Sequence, residues 1–301
     1  MGKTVVINSY SFGMPQNIGG HAPAVFKSGN RIVKQVTARS KPPAYYCPEV
    51  HLCAYLDEIY PESGPHSIYA CYARDFAVPQ LMSFYQQLIA KHDIDAIVLI
   101  DGGSDSLMRG DEEGLGDPVE DAVSVTTVAQ LDGLKSRLLI STGLGADRFN
   151  HVSDAATLRA IAELTEAGGF MGAISVEPQG EPLRFYRGCI EYIYSRQQFR
   201  SVIAGMILAS AEGYFGGAVV PPLLEDRLKP DGFFLWPLTP MLWAFDVKAV
   251  AERSLIADWI KDRQTPQQCA IAIAHGRAEI DIRPVENFPR HEDMRFDRDT
   301  Q

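Results

Sequence analysis

Basic residues are too scarce in this sequence for a nucleic-acid-binding surface. The chain has 28 Lys and Arg against 38 Asp and Glu, which gives a formal net charge of −10. Binding to phosphate backbones or to anionic membranes depends on a basic face, and no stretch clusters Lys or Arg with aromatic residues. The composition therefore argues against nucleic acid and membrane surfaces as main partners and leaves a small molecule as the expected ligand.

Cysteine is also rare, and no two cysteines form a C-x-x-C pair. The five cysteines are an odd number without a dense framework, which is typical of a reduced, cytoplasmic protein. Cys47, Glu49, His51 and Cys53 are close in sequence, but zinc sites usually bring a second ligand pair. The start of a helix is the better interpretation of this stretch.

No hydrophobic run is long enough to cross a bilayer. The most apolar late stretch, residues 233–245, is interrupted by Pro237 and Pro240. The first residues contain a short apolar stretch but no secretory signal pattern. We therefore expect no membrane segment.

Short aliphatic runs alternate with segments of helical periodicity, and this alternation predicts a parallel βαβ architecture. The composition, 46% hydrophobic and 22% charged, is that of a globular domain. We expect one domain over residues 1–283 and a polar tail over 284–301. Strands are predicted at residues 4–9, 67–72, 94–100, 137–141 and 170–176. Helices are predicted at residues 48–59, 78–92, 153–167, 196–212 and 246–261, with further helices after Asp117 and from Thr265.

Within this pattern, residues 94–100 stand out because Ala96 to Ile100 are apolar on successive positions. A run of this kind is typical of a central strand that is covered on both faces.

An acidic loop follows this strand, and ligands of parallel sheets lie beyond the carboxyl ends of strands. Residues 101–121 carry a net charge of −7, because a single basic residue, Arg109, accompanies eight acidic ones: Asp101, Asp105, Asp111, Glu112, Glu113, Asp117, Glu120 and Asp121. Crowded carboxylates repel one another, and a hard cation such as Mg²⁺ or Mn²⁺ relieves that repulsion. We predict a metal site on Asp101, Asp105, Asp111 and Glu112.

Some of these acids have a purely structural interpretation. Asp117, Pro118 and Glu120 have the spacing of a capping box ahead of an apolar helix. Asp111 to Glu113 could be a solvated acidic run. Asp101 and Asp105 are harder to explain in this way, because charges at the end of a buried strand need partners.

Residues near the acidic loop supply candidates for substrate binding and proton transfer. Gly102 and Gly103 allow close approach of backbone N–H groups, and Ser104, Ser106 and Arg109 accompany them. The next strand is followed by Asp147 and His151, which we predict to share catalysis with Asp105. Arg74 follows an earlier strand and could bind a substrate carboxylate. A plain β-to-α connection is the alternative interpretation of residues 141–151.

Two known loops are similar to this one. Residues 101–106 resemble the Ser-Gly-Gly-x-Asp-Ser loop of adenylating enzymes at five of six positions, with Asp101 in place of the serine. They look distantly like the Asp-Gly-Gly-Asn stretch of metal-dependent glutamate cyclases.

The long motif from Val98 to Glu112, continued at residues 114–121, closely resembles the signature of domain-of-unknown-function family 1152. Residues 143–147 and 243–247 are similar to it too, so that the resemblance runs from about residue 48 to the last helix. It implies a Rossmann-like three-layer fold with a mostly parallel central sheet and an important acidic loop. Members often begin with a glycine-rich strand and turn, which we do not find here.

These observations favour a metal-dependent lyase, cyclase or hydrolase that acts on a small polar substrate such as an amino-acid derivative. Nucleotide binding at residues 101–106 is the first alternative. A non-catalytic sensor or scaffold with an acidic loop is the second. A homo-oligomer is compatible with the sequence.

Overall fold

The computed structural model of the protein describes residues 4–285 and residue 288. Ten strands lie in this part of the chain: β1 (Ile7–Ser11), β2 (Gly19–Gly20), β3 (Ala24–Ser28), β4 (Arg31–Thr37), β5 (Ser40–Lys41), β6 (Ser67–Tyr72), β7 (Ala96–Gly102), β8 (Ser136–Thr142), β9 (Phe170–Ile174) and β10 (Leu242–Asp246). The same part contains nine α-helices: α1 (Pro48–Ile59), α2 (Val78–His92), α3 (Pro118–Gln130), α4 (Asp154–Glu166), α5 (Glu181–Tyr194), α6 (Val202–Ala211), α7 (Val247–Arg253), α8 (Leu255–Ile260) and α9 (Pro266–Ala278).

Two separate four-stranded sheets form the frame of the molecule. The first sheet has the order β1-β6-β4-β3, and the second has the order β7-β8-β10-β9. In each sheet one strand pair is parallel, β1 with β6 and β7 with β8, and the other pairs are antiparallel. The fold is therefore mixed α/β, and the prediction of a mostly parallel central sheet was wrong.

A β-hairpin explains the antiparallel half of the first sheet. Ser28 pairs with Arg31 across the two-residue turn Gly29-Asn30, and Gly29 has the positive φ of 63° that such a turn requires. Gly-Asn between two segments that contain β-branched residues is a sequence signal for a hairpin, but neither segment was among the predicted strands.

The second sheet is mixed because β10 enters it between β8 and β9. The strand β10 was not among the predicted strands, although most of its sequence lies in the apolar stretch 233–245. In the described part of the chain, no helix combines the length and hydrophobicity that crossing a bilayer requires.

Most predicted helices begin where their capping residues place them. α1 and α2 have the predicted bounds, and α4 begins after Ser153, whose hydroxyl accepts a hydrogen bond from the Ala156 N–H. α9 begins after Thr265 in the same way. The helix predicted at 196–212 corresponds to α6, which is shorter. Ser254 divides the predicted helix 246–261 into α7 and α8. The helix α5 was not predicted.

The main core lies between α2, α3, α7, α8, α9 and one face of both sheets, and it includes Leu81, Phe84, Val123, Leu139 and Phe245. α1 covers the other face of the first sheet through Val50 and Cys53. Because the sheets bury this much apolar surface on the α2 and α3 side, the carboxyl ends of β7 and β8 are held in fixed positions.

Strand β7 lies at the edge of the second sheet and is open on one face. Val98 is 50% exposed and Ile100 is 73% exposed, and Ile174 of β9 is 66% exposed. The prediction of a central strand covered on both faces was therefore wrong. The uncovered face of the second sheet is apolar, which is unusual for a surface.

The predicted tail 284–301 lies outside the described residues, apart from Pro284, Val285 and Phe288. Arg283, just before it, donates its backbone N–H to the Asp111 carbonyl oxygen at 2.7 Å.

Candidate functional site

The candidate site begins at Asp101, which lies near the carboxyl end of β7. Side chains alternate along a strand, so Asp101 lies on the same face as Ile97 and Leu99, the face that packs on the main core. The Ser106 hydroxyl donates to Asp101 Oδ2 at 2.6 Å. The carboxyl group is thus directed towards α3 and away from the open face of the sheet.

Asp105 is held beside Asp101 by the loop that leads to α3. The backbone N–H of Asp117 donates to Asp105 Oδ2 at 2.9 Å. Gly116, with a φ of 68°, lies so close that a Cβ atom there would be 2.3 Å from the same oxygen. Only glycine fits this position, because both the backbone conformation and the space exclude a side chain.

The first turn of α3 brings a third carboxyl group to this point. Asp101, Asp105 and Asp121 each offer an oxygen within 4.8 Å of the other two. Asp121 is one of the eight acids of the acidic loop but was not among the predicted metal ligands. Its position four residues after Asp117, at the start of a helix that follows the strand, was the available signal.

Asp117 and Glu120 do not form the predicted capping box. Asp117 occupies the N-cap position of α3, but its side chain makes no capping hydrogen bond, and its backbone N–H is used by Asp105. Glu120 lies among the acids of the site. Burial, followed by the charges of Asp117 and Asp101, raises its pKa to about 8.

Asp147 joins the cluster from the loop after β8. Its Oδ2 accepts the Ser104 backbone N–H at 2.6 Å. A Cβ atom at Gly103 would lie 2.6 Å from Asp147 Oδ2 and 2.9 Å from Asp105 Oδ1, so Gly103 lies directly between the two acids. Asp147, from the loop after β8, therefore lies beside Asp105, from the loop after β7.

His151, which we predicted to act beside Asp147, lies elsewhere. It is exposed, has a φ of 65°, and contacts Gly114 through its carbonyl oxygen. Asp147 is directed inwards and His151 outwards because the turn at residues 146–150 separates them. We therefore leave His151 out of the catalytic group.

Burial and mutual repulsion keep the protons on these carboxyl groups. The pKa of Asp101 is raised to about 7 by burial and then by Asp105, and that of Asp147 to about 8 by burial and then by Asp105. Burial also raises the pKa values of Asp105 and Asp121. No Lys, Arg or His of the described residues forms an ion pair with this cluster.

Asp111 and Glu112, predicted as metal ligands, belong to a different arrangement. Arg283 lies 2.7 Å from Asp111 Oδ1 and 2.8 Å from Glu112 Oε1, and Arg109 lies 2.8 Å from Asp111 Oδ2. Glu112 also accepts the backbone N–H groups of Arg109 and Gly110 at 3.0 and 2.8 Å. These acids are neutralised within the chain, and Arg109, predicted to bind substrate, is engaged there too.

Arg74, the second arginine that was predicted to bind substrate, lies near the cluster. It follows β6, is exposed, and stacks over the Phe12 ring at 5.3 Å. Its charge lowers the pKa of Glu120 against the larger effect of burial. No carboxylate of the described residues pairs with Arg74, which leaves its guanidinium group available to a ligand.

A family model described as a protein of unknown function, DUF1152, matches residues 75–281, which is more than half of the chain. The chain belongs to the DUF1152 family. No curated protein and no solved structure matches it significantly. The DUF1152 match includes the whole acidic loop, Asp147 and β10.

Two cavities lie near the carboxylate cluster of this DUF1152 chain. The first, about 10 Å³, is lined by Asp105, Ser106 and Thr126, and the buried hydroxyl of Thr126 has no hydrogen-bond partner. Its size is that of about one water molecule. The second, about 640 Å³, lies behind the loop of Gly116 and is lined by Leu115, Arg148 and His151 among others.

Proposed function

We propose that this DUF1152 chain is a metal-dependent enzyme in which Asp101, Asp105 and Asp121 bind Mg²⁺ or Mn²⁺. The observation that supports the proposal is the convergence of three carboxylate oxygens within 4.8 Å of one another, with no Lys, Arg or His of residues 4–285 paired to them. Oxygen ligands of this kind are the ones that hard divalent cations prefer. The adjoining cavity has room for one water molecule, and the unpartnered Thr126 hydroxyl could form a hydrogen bond with it.

A metal ion bound here would polarise a substrate carbonyl group or lower the pKa of a bound water. The chain's own residues divide the remaining work. Asp147 holds a proton near neutral pH, because its pKa is about 8, and can donate it to or accept it from the substrate. The hydroxyl of Ser106 fixes the orientation of Asp101.

The substrate we propose is a small polar molecule with an anionic group, such as an amino-acid derivative, and the reaction type is a lyase, cyclase or hydrolase reaction. Arg74 supports the anionic group, because its guanidinium is exposed and unpaired near Glu120. The missing side chain of Gly103 lets the carboxyl groups of Asp147 and Asp105 approach one another at the site.

Nucleotide binding at residues 101–106 is less well supported. The Ser104 backbone N–H, which a phosphate would need, already donates to Asp147. The cluster of acids around it would also repel phosphate.

A cytoplasmic location and a homo-oligomeric assembly belong to the same proposal. All five cysteines are free and buried, which fits a reducing compartment. The uncovered apolar face of the second sheet supports self-association.

The proposal is tested by titrating Mn²⁺ into metal-stripped protein and measuring its affinity by calorimetry. We expect one Mn²⁺ per chain, and Asp101→Asn should weaken binding about tenfold or more, because a charged ligand is lost. Asp132→Asn is the matched control, since Asp132 is an exposed acid outside the cluster. Absence of Mn²⁺ and Mg²⁺ binding in the native chain would refute the metal site and favour a non-catalytic scaffold.

A further inference from the structure

Glu49 is a buried acid that lies against strand β1 of the first sheet. It is the second residue of α1 and is 3% exposed. Its Oε1 accepts two hydroxyl groups, from Ser9 at 2.7 Å and from Ser11 at 2.6 Å. Both serines are on the face of β1 that α1 covers, because Ser9 pairs with Ala70, a member of the α1 core.

The other oxygen of Glu49 is enclosed and has no hydrogen-bond partner. Among the described residues, no Lys, Arg or His forms an ion pair with Glu49. The thiol of Cys47 faces Glu49 as a weak hydrogen-bond donor, and its pKa is raised to about 12 by burial, then by the charge of Glu49 and by this hydrogen bond, so it brings no charge. A buried carboxylate without a counter-charge is costly to maintain, which indicates a ligand.

The chemistry around Glu49 selects a small cationic donor. The two serine hydroxyls donate to Oε1, and Ser11 Oγ also accepts the Gly13 backbone N–H at 3.2 Å, so that each hydroxyl oxygen retains at least one lone pair that can accept a hydrogen bond. One carboxylate does not make a divalent-metal site, and the group of convergent metal-ligand atoms in the described residues does not include Glu49. A primary ammonium group, with three N–H donors and one positive charge, matches one carboxylate oxygen and neighbouring hydroxyls.

The position of Glu49 connects it with the proposed metal site. Tyr46 lies close enough to both Glu49 and Glu120 for each carboxylate to raise its pKa, after the larger effect of burial. Gly13 lies next to Glu49, so near that a Cβ atom there would be 3.4 Å from Oε2. Phe12 in the same turn carries the guanidinium group of Arg74.

We propose that Glu49, together with Ser9 and Ser11, binds the primary ammonium group of the substrate. The inference rests on the proposed function and makes its substrate an amino compound. Entry of the ammonium group displaces the turn at residues 12–14. Glu49 then binds the positive group of the substrate, and Arg74 binds the negative group of the same molecule. A zwitterionic amino-acid derivative has both groups.

The probe that tests this is L-alaninamide, which has a primary ammonium group and no carboxylate. It is titrated by calorimetry into the full chain in EDTA at pH 7, with N-acetyl-L-alaninamide as the uncharged comparison. We expect the native chain to bind L-alaninamide and not the acetylated compound. Glu49→Gln should weaken binding about tenfold or more, whereas Glu58→Gln, an exposed acid of the same helix, should leave it unchanged.

A second variant tests the space at Oε2 without changing charge. Gly13→Ala should fold normally, because its methyl group makes an ordinary contact in the closed turn, and it should weaken L-alaninamide binding several-fold. Equal affinity of the native, Glu49→Gln and Gly13→Ala chains for L-alaninamide would overturn the proposal, as would no binding to the native chain. Stabilisation by KCl in place of the amine would assign the site to an alkali cation instead.

The Mn²⁺ titration separates this inference from the proposed function. Glu49→Gln should bind Mn²⁺ as the native chain does, because Glu49 is not a ligand of the aspartate cluster. If the native chain binds Mn²⁺ but not L-alaninamide, the ammonium site alone is refuted. If the native chain does not bind Mn²⁺, the metal site is refuted.

Discussion

Glycine at position 116 shows how one residue positions a carboxylate. Its φ of 68° turns the chain so that the Asp117 N–H reaches Asp105, and the missing side chain lets the loop close on the Asp105 carboxyl group. An L-residue in this conformation costs about 1–2 kcal/mol. The glycine therefore has two roles, one conformational and one steric.

The two roles can be separated by comparing two substitutions. Gly133 has a similar φ of 76°, but nothing lies within 4 Å of its Cβ position, so Gly133→Ala measures conformational strain alone. We expect Gly133→Ala to lower the free energy of unfolding by about 1 kcal/mol and Gly116→Ala to lower it by about 3 kcal/mol. Only Gly116→Ala should also weaken Mn²⁺ binding. Urea denaturation and calorimetry measure both effects, and equal losses would mean that the Asp105 contact is unimportant.

At the scale of elements, the acidic loop consists of two parts with different roles. Its first part and the start of α3 contribute Asp101, Asp105 and Asp121 to the cluster. Its middle part binds the C-terminal segment, because Arg283 contacts both Asp111 and Glu112. Both parts are acidic in the sequence, and the contacts of Arg283 and Arg109 with the middle part separate them in the structure.

This division predicts opposite results for two Asp→Asn substitutions. Asp111→Asn should lower the free energy of unfolding by about 2 kcal/mol, because it leaves Arg283 and Arg109 without a full counter-charge, and it should not alter Mn²⁺ affinity. Asp101→Asn should weaken Mn²⁺ binding without comparable loss of stability, since it removes a buried charge that lacks a cation. Loss of Mn²⁺ binding in Asp111→Asn would contradict this division of the loop.

At the scale of the whole molecule, the raised pKa values make stability depend on pH. Asp101, Glu120 and Asp147 have folded-state pKa values of about 7, 8 and 8, above their ordinary values of 3.8, 4.5 and 3.8. Between the ordinary and the raised values the folded state binds more protons than the unfolded state, so stability falls as pH rises.

We therefore expect these groups to stabilise the metal-free protein most below about pH 4, under their ordinary pKa values. Its thermal midpoint should fall by about 5 °C or more as pH rises to 8. Mn²⁺ should reduce this loss, because the metal replaces the protons that leave at higher pH. Thermal melts across pH 4–8 with EDTA or Mn²⁺ provide the measurement. A midpoint that does not change with pH in EDTA would show that the carboxyl groups are ionised without cost.

The open face of the second sheet has a separate consequence for the whole molecule. Val98, Ile100 and Ile174 are each at least half exposed, and an apolar sheet face of this kind usually indicates an interface. We expect light scattering to report a homo-oligomer and Ile100→Asp to convert it to a monomer that still binds Mn²⁺. Lys135→Asp, at an exposed site with an isolated surface ion pair, serves as the charge-reversal control. A monomeric native chain would contradict the expectation.

The sequence by itself determined the local elements and the location of the acidic cluster. Helices α1, α4 and α9 begin at or directly after Pro, Ser or Thr residues whose effect depends on a few neighbours. α2 and the strands β6 to β9 were recognised because periodic and continuous apolar patterns are local. Asp101, Asp105 and Asp147 were predicted for one site because they follow strands in a common direction.

Only the tertiary structure decided which charges meet. The antiparallel strand β10, the ion pairs of Asp111 and Glu112 with Arg283, and the outward position of His151 all depend on contacts between residues far apart in the chain. The electrostatic effect of a charge depends on its distance from other charges and on burial, and neither quantity is local in sequence. For the same reason the folded chain was needed to show that Asp121 lies beside Asp101 and Asp105, and that Glu49 lies beside Ser9 and Ser11.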